Sequence, residues 1–168
     1  MRNILVAVDD VDSTTPASPL IQRAMTLGWA FSSKVWLLHV VPRPGMTPFT
    51  VPREVLRGEA ASELRHEHRA MQKLAHQLRD NGVDATALVC EGPIVKTLLR
   101  EAERLHADLI VVTCHRHSLL YRALADGAGE RLLHESRRPV MFVPEPRRKP
   151  SRHHSEDNGG ERKAQPGE

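Results

Sequence analysis

The fold of this chain is decided by residues 108–143, which read DLIVVTCHRHSLLYRALADGAGERLLHESRRPVMFV. Leu109 to Val112 is a continuous apolar run, as expected of a strand that is buried on both faces. A loop follows, and a helix is predicted from about Gly127 to Ser136. Val140 to Val143 is a second apolar strand. Strand, helix and strand in this order predict a βαβ unit, whose two strands run parallel.

The same alternation extends back to the N-terminus. Predicted strands cover Ile4 to Val8, Val35 to Val41 and Val83 to Val89. A first helix is predicted from the apolar positions that recur at helical spacing from Leu20, and further helices are predicted from Glu54 to Asn81 and from Ile94 to Leu105. Hydroxyl side chains at residues 13–15 are candidate caps for the first helix, with Pro16 suited to its first turn. Gly82 follows the long helix in a position that glycine favours. Helices between successive strands indicate a doubly wound α/β domain with helices on both faces of a parallel sheet.

Composition places the chain among ordinary globular proteins. Its 168 residues are 40% hydrophobic and 27% charged, with a formal net charge of +3 and a pI near 9.2. Basic and acidic residues are interleaved, whereas a nucleic-acid-binding protein concentrates basic residues on one face. We therefore expect no specific nucleic-acid partner.

The chain also lacks the marks of secretion and of membrane insertion. The apolar run at the N-terminus is too short for a signal peptide. No apolar stretch approaches the roughly 18–20 residues that span a bilayer. The two cysteines, Cys90 and Cys114, are too few for a disulfide framework. These features predict a cytoplasmic protein with reduced thiols and no membrane contact.

The apolar pattern stops near Pro144. Residues 145–168 are rich in charged residues, glycine and proline, and contain almost no side chain that could join a core. Such a composition predicts a disordered polar tail. We therefore divide the chain into one folded domain, residues 1–144, and a tail, residues 145–168.

Five short segments, in order, resemble the universal stress protein family. They are Asn3 to Asp10 (NILVAVDD), Leu37 to Val41 (LLHVV), Glu91 to Pro93 (EGP), Glu130 to Leu133 (ERLL) and Arg138 to Val140 (RPV). The resemblance implies a five-stranded parallel sheet in the order 3-2-1-4-5, of the adenine nucleotide alpha hydrolase-like type. It further implies that Asp9 lies against an adenosine and that Val40 lines the adenine, in the crevice at the ends of strands 1 and 4.

The phosphate-binding loop departs from the family pattern. That pattern is Gly-x2-Gly-x9-Gly-(Ser/Thr), and aligned without a gap its glycines fall on Thr113, Arg116 and Asp126, with the hydroxyl residue at Gly127. Glycine lets backbone N–H groups approach a phosphate closely. Asp126 would instead repel the phosphate, by roughly 1–4 kcal/mol at ~4 Å. The resemblance is therefore to a member with a degenerate phosphate-binding loop.

From this loop we expect no tightly bound cofactor. We predict that ATP binds with a dissociation constant above ~100 μM. The alternative is a member that binds ATP or AMP by other contacts. Arg116 could itself hold a phosphate, and residues 127–129 open a helix whose free N–H groups favour anions.

Metal and catalytic sites are not expected. Residues 114–117 (Cys-His-Arg-His), with His39, could suggest zinc, and Asp9, Asp10 and Asp12 could suggest Mg²⁺. Neighbouring loop residues rarely converge on one ion, and aspartates before a helix are commonly caps. No Gly-x-Ser-x-Gly elbow or comparable signature of nucleophilic catalysis is present. We therefore predict a binding protein without catalytic residues, not an enzyme.

The family resemblance also implies a homodimer. Pro139 to Val143 would form an apolar edge strand, which is prone to pairing unless it is covered. A second copy related by a two-fold axis would cover it. Other protein partners, and the stress to which the protein responds, are not identified by the sequence.

Overall fold

The structure is a computed structural model that describes residues 1–12, 14–41, 53–114 and 129–144. Within these residues, five strands alternate with four helices. In chain order they are β1 (Asn3–Ala7), α1 (Pro19–Phe31), β2 (Lys34–Val41), α2 (Arg53–Asp80), β3 (Ala85–Glu91), α3 (Ile94–Arg104), β4 (Leu109–Cys114), α4 (Gly129–Glu135) and β5 (Val140–Pro144). The predicted tail, residues 145–168, lies outside the described residues.

All five strands belong to one parallel sheet in the order β3-β2-β1-β4-β5. This confirms the predicted doubly wound fold and its strand order. β1 is central: Ile4 pairs with Val35 of β2 on one side and with Leu109 of β4 on the other. A central strand is covered on both faces, which explains why its apolar run is continuous rather than alternating.

Each face of the sheet packs into its own core. On the first face, the buried side chains of α1 and α2 meet alternate strand residues, among them Ile4, Val6 and Val111. On the second face, α3 and α4 meet the intervening residues, such as Leu5 and Ile110. Successive side chains of a strand point to opposite faces. The position of a residue in its strand therefore decides which core it enters.

The start of α1 differs from the prediction. The helix begins at Pro19, with Ser18 as its N-cap residue, and residues 14–16 precede it in a loop. Ser18 has extended backbone angles (φ −64°, ψ 139°), as the residue before a proline prefers. Its hydroxyl oxygen accepts a hydrogen bond from the Thr15 backbone N–H at 2.9 Å instead of capping the helix. A proline at the first helical position thus determined the boundary.

The end of α2 agrees with the prediction. Gly82 follows the helix with a φ of +78°, in the left-handed region that L side chains rarely adopt. Its backbone N–H donates to the carbonyl oxygen of Arg79 at 2.8 Å, which satisfies one of the free carbonyls of the last turn. In the part of the chain that the structure describes, no helix is long and apolar enough to cross a membrane.

Candidate functional site

A small cavity lies at the carboxyl ends of β1 and β2, and α3 covers this cavity. Its volume is about 20 Å³, and it is lined by Ala7, Val8, Asp9, Leu38, Val40, Ile94 and Leu98. We call it the crevice. It lies beside the point where the strand order reverses between β1 and β4, the usual ligand position in a doubly wound fold.

Asp9 and Val40 both line the crevice. Ala7 pairs with Leu38, and the Val8 N–H donates to the Leu38 carbonyl oxygen at 2.8 Å. This pairing brings the residues that follow β1 next to the carboxyl-terminal end of β2. Val40 is only 8% exposed, and it joins the core on the second face together with Leu38. The crevice therefore has an apolar wall and a carboxylate at its rim.

Ile94 and Leu98 of α3 complete the apolar wall of the crevice. Sequence reasoning identified both residues as part of a helical core stripe and missed their place in the site. The sequence signal that could have indicated their place in the site is the glycine-proline turn before α3. Gly92 has a φ of +144°, and a Cβ atom there would stand 2.7 Å from the Thr97 hydroxyl oxygen. Glycine therefore permits the tight turn that returns α3 to the edge where β1 and β2 end.

Thr113 reaches the expected end of β4 but lies on the other face of the sheet. It pairs with Val143, whose side chain belongs to the first core, whereas Val40 belongs to the second. Thr113 is 3% exposed, and its hydroxyl makes no hydrogen bond within the described part of the chain. Its side chain is therefore not part of the crevice. Arg116, Asp126 and Gly127 lie outside the described residues.

His39 connects the end of β1 to α2. Its Nδ1 is 2.7 Å from the Val8 carbonyl oxygen. Because a carbonyl can only accept, this nitrogen carries the proton and donates it. The other ring nitrogen, Nε2, lies 3.5 Å from Oε1 of Glu67, and both side chains are largely buried. His39 thereby fixes the carbonyl next to Asp9, which is a positioning role and leaves the ring little freedom to serve as a metal ligand.

The acidic residues after β1 stabilise a turn. The Asp10 carboxylate accepts a hydrogen bond from the Asp12 N–H at 3.1 Å, and the Asp10 carbonyl accepts one from the Thr14 N–H at 3.1 Å. Asp12 Oδ1 is 2.7 Å from Nε2 of His66. Among the described residues, no three histidine, cysteine or acidic side chains converge on a point that could hold a metal ion. Of residues 114–117, only Cys114 falls within the described part of the chain.

A profile of the Universal stress protein family matches residues 1–144. The chain belongs to the universal stress protein family. It is 27% identical, over 150 residues, to a universal stress protein of Methanocaldococcus jannaschii, and the match covers 88% of this chain and 84% of that protein. This shows the predicted family, whereas the degenerate phosphate-binding loop remains a prediction from the sequence.

Solved structures of universal stress proteins have the same fold. One, from Lactobacillus plantarum, superposes with a TM-score of 0.63 at 19% identity, over 84% of this chain and 97% of that chain. Another, from Archaeoglobus fulgidus in complex with dAMP, superposes with a TM-score of 0.56 at 14% identity, over 85% of this chain and 98% of that chain. At these identities the likeness establishes the shared fold.

A charge cluster around one buried carboxylate stabilises α3 in this universal stress protein fold. Glu101 is buried, and its two carboxylate oxygens accept hydrogen bonds from Arg100 Nε at 3.1 Å and Arg104 Nε at 2.6 Å. Burial acts to raise the pKa of Glu101, but these two arginines outweigh it, so that the pKa is lowered. Nearby, burial and the Glu101 charge raise the pKa of the Cys90 thiol. Cys90 forms no disulfide, and its raised pKa disfavours the reactive thiolate.

Proposed function

We propose that this chain is a non-catalytic regulatory protein of the cytoplasmic stress response that does not bind ATP tightly. It would hold an adenine nucleotide mainly by the adenosine part. The observation that carries this proposal is that the expected site residues at the carboxyl edge of the sheet lie on two different faces. Asp9 and Val40 line one crevice, while the Thr113 side chain lies on the opposite face.

The crevice suits the nucleoside part of a ligand. Leu38, Val40 and Ile94 offer apolar contacts for the flat face of a base, and Asp9 can accept hydrogen bonds from ribose hydroxyls. The complex of the Archaeoglobus fulgidus protein with dAMP supports a ligand of this class. At about 20 Å³ the cavity has room for roughly one water molecule, so its walls must move apart to admit a base. That rearrangement lowers the affinity.

The phosphate-binding loop offers fewer favourable contacts to a ligand than the crevice does. Family glycines are replaced by Thr113, Arg116 and Asp126 in the sequence. A side chain in place of glycine at Arg116 and Asp126 restricts the approach of the backbone to phosphate, and the Asp126 carboxylate adds repulsion. We therefore expect the β- and γ-phosphates to contribute little affinity. The second candidate is a true ATP- or AMP-binding member, in which the charge of Arg116 substitutes for the lost backbone contacts.

Calorimetric titration with adenosine, AMP and ATP separates the two candidates. We expect a dissociation constant above ~100 μM for ATP, and AMP to bind about as well as ATP. Asp9→Ala should weaken the binding of adenosine, AMP and ATP alike. Asp84→Ala is the matched control, because it removes the same charge from an exposed residue that lies just before β3, at the other end of the sheet, and it should leave binding unchanged.

Restoring the family loop tests the phosphate side directly. The variant Thr113→Gly, Arg116→Gly, Asp126→Gly and Gly127→Ser should raise the affinity for ATP more than the affinity for adenosine. If the unmodified protein copurifies with ATP, or binds it at low micromolar concentration, the second candidate is correct instead.

The proposal includes a homodimer formed through Pro139 to Val143. β5 is an edge strand of the sheet, with Phe142 36% exposed, and the neighbouring α4 carries Leu133, which is 60% exposed. An exposed apolar edge is stabilised when a second copy covers it. Regulation would then depend on this dimer and on the occupancy of its two crevices.

A further inference from the structure

A second, larger cleft lies between the β1–α1 loop and α2. We call it the α2 cleft. Its volume is about 390 Å³, within the range of small-molecule sites. The polar side chains on its walls that matter here are Asp12 and Thr15 from the loop, and His66, Arg69, Lys73 and Gln77 from α2.

The α2 cleft is separate from the crevice. The crevice is covered by α3 on the second face of the sheet, and it extends no further along the β1–α1 loop than Asp9. The α2 cleft begins at Val11, and its inner wall is formed by Leu74, which packs into the first core. The two share no lining residue. A ligand in the α2 cleft would therefore not occupy the adenosine position.

The helix wall of the cleft follows from spacing along α2. His66, Arg69, Lys73 and Gln77 are separated by three or four residues, so that they form one continuous row along the helix. Ala70 and Leu74 lie beside this row and provide an apolar floor. The cleft thus combines a polar wall, an apolar floor and a loop with hydroxyl side chains.

Two cations in this row have no counter-charge among the residues that the structure describes. Arg69 and Lys73 make no ion pair or hydrogen bond with any described residue, whereas His66 of the same row contacts Asp12. On the same helix, His76 contacts Asp80 at 2.8 Å. Like charges four residues apart on a helix destabilise it slightly. An anion between the two side chains would remove that repulsion.

We propose that the α2 cleft binds the phosphate group of a small phosphorylated ligand. Arg69 offers a planar guanidinium that can donate two parallel hydrogen bonds to phosphate oxygens, and Lys73 adds a second positive charge. From the opposite wall the Thr15 hydroxyl donates to the same group. Gln77 and the apolar floor contact the rest of the ligand.

Asp12 is the acidic side chain among the described residues that line the cleft, and it does not oppose this assignment. Its Oδ1 is 2.7 Å from Nε2 of His66, so the carboxylate is engaged by the imidazole beside it. The two cations of the helix wall lie one and two turns further along α2. The phosphate position is therefore set by Arg69, Lys73 and Thr15.

Titration of the full chain with inorganic pyrophosphate tests the proposal. Binding is monitored at constant ionic strength through the backbone amide signals in ¹H–¹⁵N spectra. We expect saturable shifts at Thr14, Thr15, Arg69 and Lys73. The double variant Arg69→Gln/Lys73→Gln should weaken binding at least about tenfold, since each charged hydrogen bond to phosphate is strong. The matched control Arg65→Gln/Lys96→Gln removes the same charge from exposed residues outside the cleft and should change binding less than about twofold.

Three outcomes would overturn the proposal. The first is the absence of saturable shifts up to about 10 mM pyrophosphate. The second is equal weakening in both double variants, which would indicate attraction by the net charge alone. The third is a set of shifts confined to Ala7, Asp9 and Val40, which would place the anion in the crevice. AMP binding to the crevice should be unchanged in Arg69→Gln/Lys73→Gln, so that failure here is distinct from failure of the proposed nucleotide binding.

Discussion

Gly28 lies near the C-terminal end of α1, where the helix packs closely against Val35 of β2 and against Val83. A Cβ atom at this position would stand 2.9 Å from Cγ1 of Val83 and 3.3 Å from Cγ2 of Val35. Both neighbours are buried and have stiff, branched side chains. We expect Gly28→Leu to lower the free energy of unfolding by about 1–3 kcal/mol, because the added volume overpacks the first core.

Urea denaturation of purified protein measures this effect at Gly28. The control is Ala30→Leu, which adds leucine to an exposed position of the same helix and should change stability by less than about 0.5 kcal/mol. Equal stability of the two variants would show that α1 can move away from the sheet without cost.

Glu101 makes the stability of the protein depend on pH. Its two arginine partners lower its folded-state pKa, despite the opposing effect of burial. A lowered folded pKa contributes stability that is present above the unfolded pKa and is lost as the pH falls through the folded pKa. We expect Glu101→Gln to lower the free energy of unfolding by about 1 kcal/mol at pH 7. The effect is no larger because Arg100 and Arg104 are more than half exposed, so that solvent screens their charges.

The pH profile separates this charge effect from a packing effect. The difference in unfolding free energy between the native protein and Glu101→Gln should be constant from about pH 7 to 5 and should shrink below the ordinary glutamate pKa, about 4.3. A difference that persists unchanged at about pH 3.5 would mean that the arginine contacts contribute nothing through charge.

At the scale of elements, β5 determines how the sheet ends. It pairs with β4 through Ile110 and Val140, and its other edge has no partner strand among the described residues. Val140 packs partly into the second core, so that Val140→Asp would disturb the fold as well as any dimer. Phe142 is more exposed and packs into neither core. We therefore expect Phe142→Glu to convert a dimer into a folded monomer.

Light scattering after gel filtration, together with thermal unfolding, checks this prediction. The matched control is Phe31→Glu, an exposed phenylalanine at the end of α1, which should remain dimeric. A native protein that is monomeric at micromolar concentration would contradict the dimer outright.

At the scale of the whole molecule, the folded domain is expected to end with β5. The family match stops at residue 144, and residues 145–168 supply almost no apolar side chain. Removing residues 145–168 should shift the melting temperature by less than about 2 °C, because their composition offers almost nothing to a core. Ending the chain at Arg138 should instead prevent folding, because this removes Val143 from the first core and exposes β4. A large shift in melting temperature on removal of residues 145–168 alone would show that the tail packs against the domain.

Much of the fold could be read from local patterns in the sequence. Apolar runs at β1 and β4, the helical stripe of α3 and the glycine after α2 were each sufficient to identify an element, because burial and backbone conformation act on neighbouring residues. The first helix was placed too early. Three hydroxyl residues looked like caps, but Pro19 and the extended conformation of Ser18 set the boundary.

The sequence by itself determined the family and the parallel sheet, because each depends on residue type and order. Tertiary structure alone decided three further features. It placed Thr113 on the face opposite the crevice, brought Ile94 and Leu98 into the crevice wall, and set Arg69 and Lys73 against the β1–α1 loop. The physical reason is that strand register and helix packing decide which face of the sheet a residue occupies and which distant segment it contacts there. No local sequence pattern encodes register or packing.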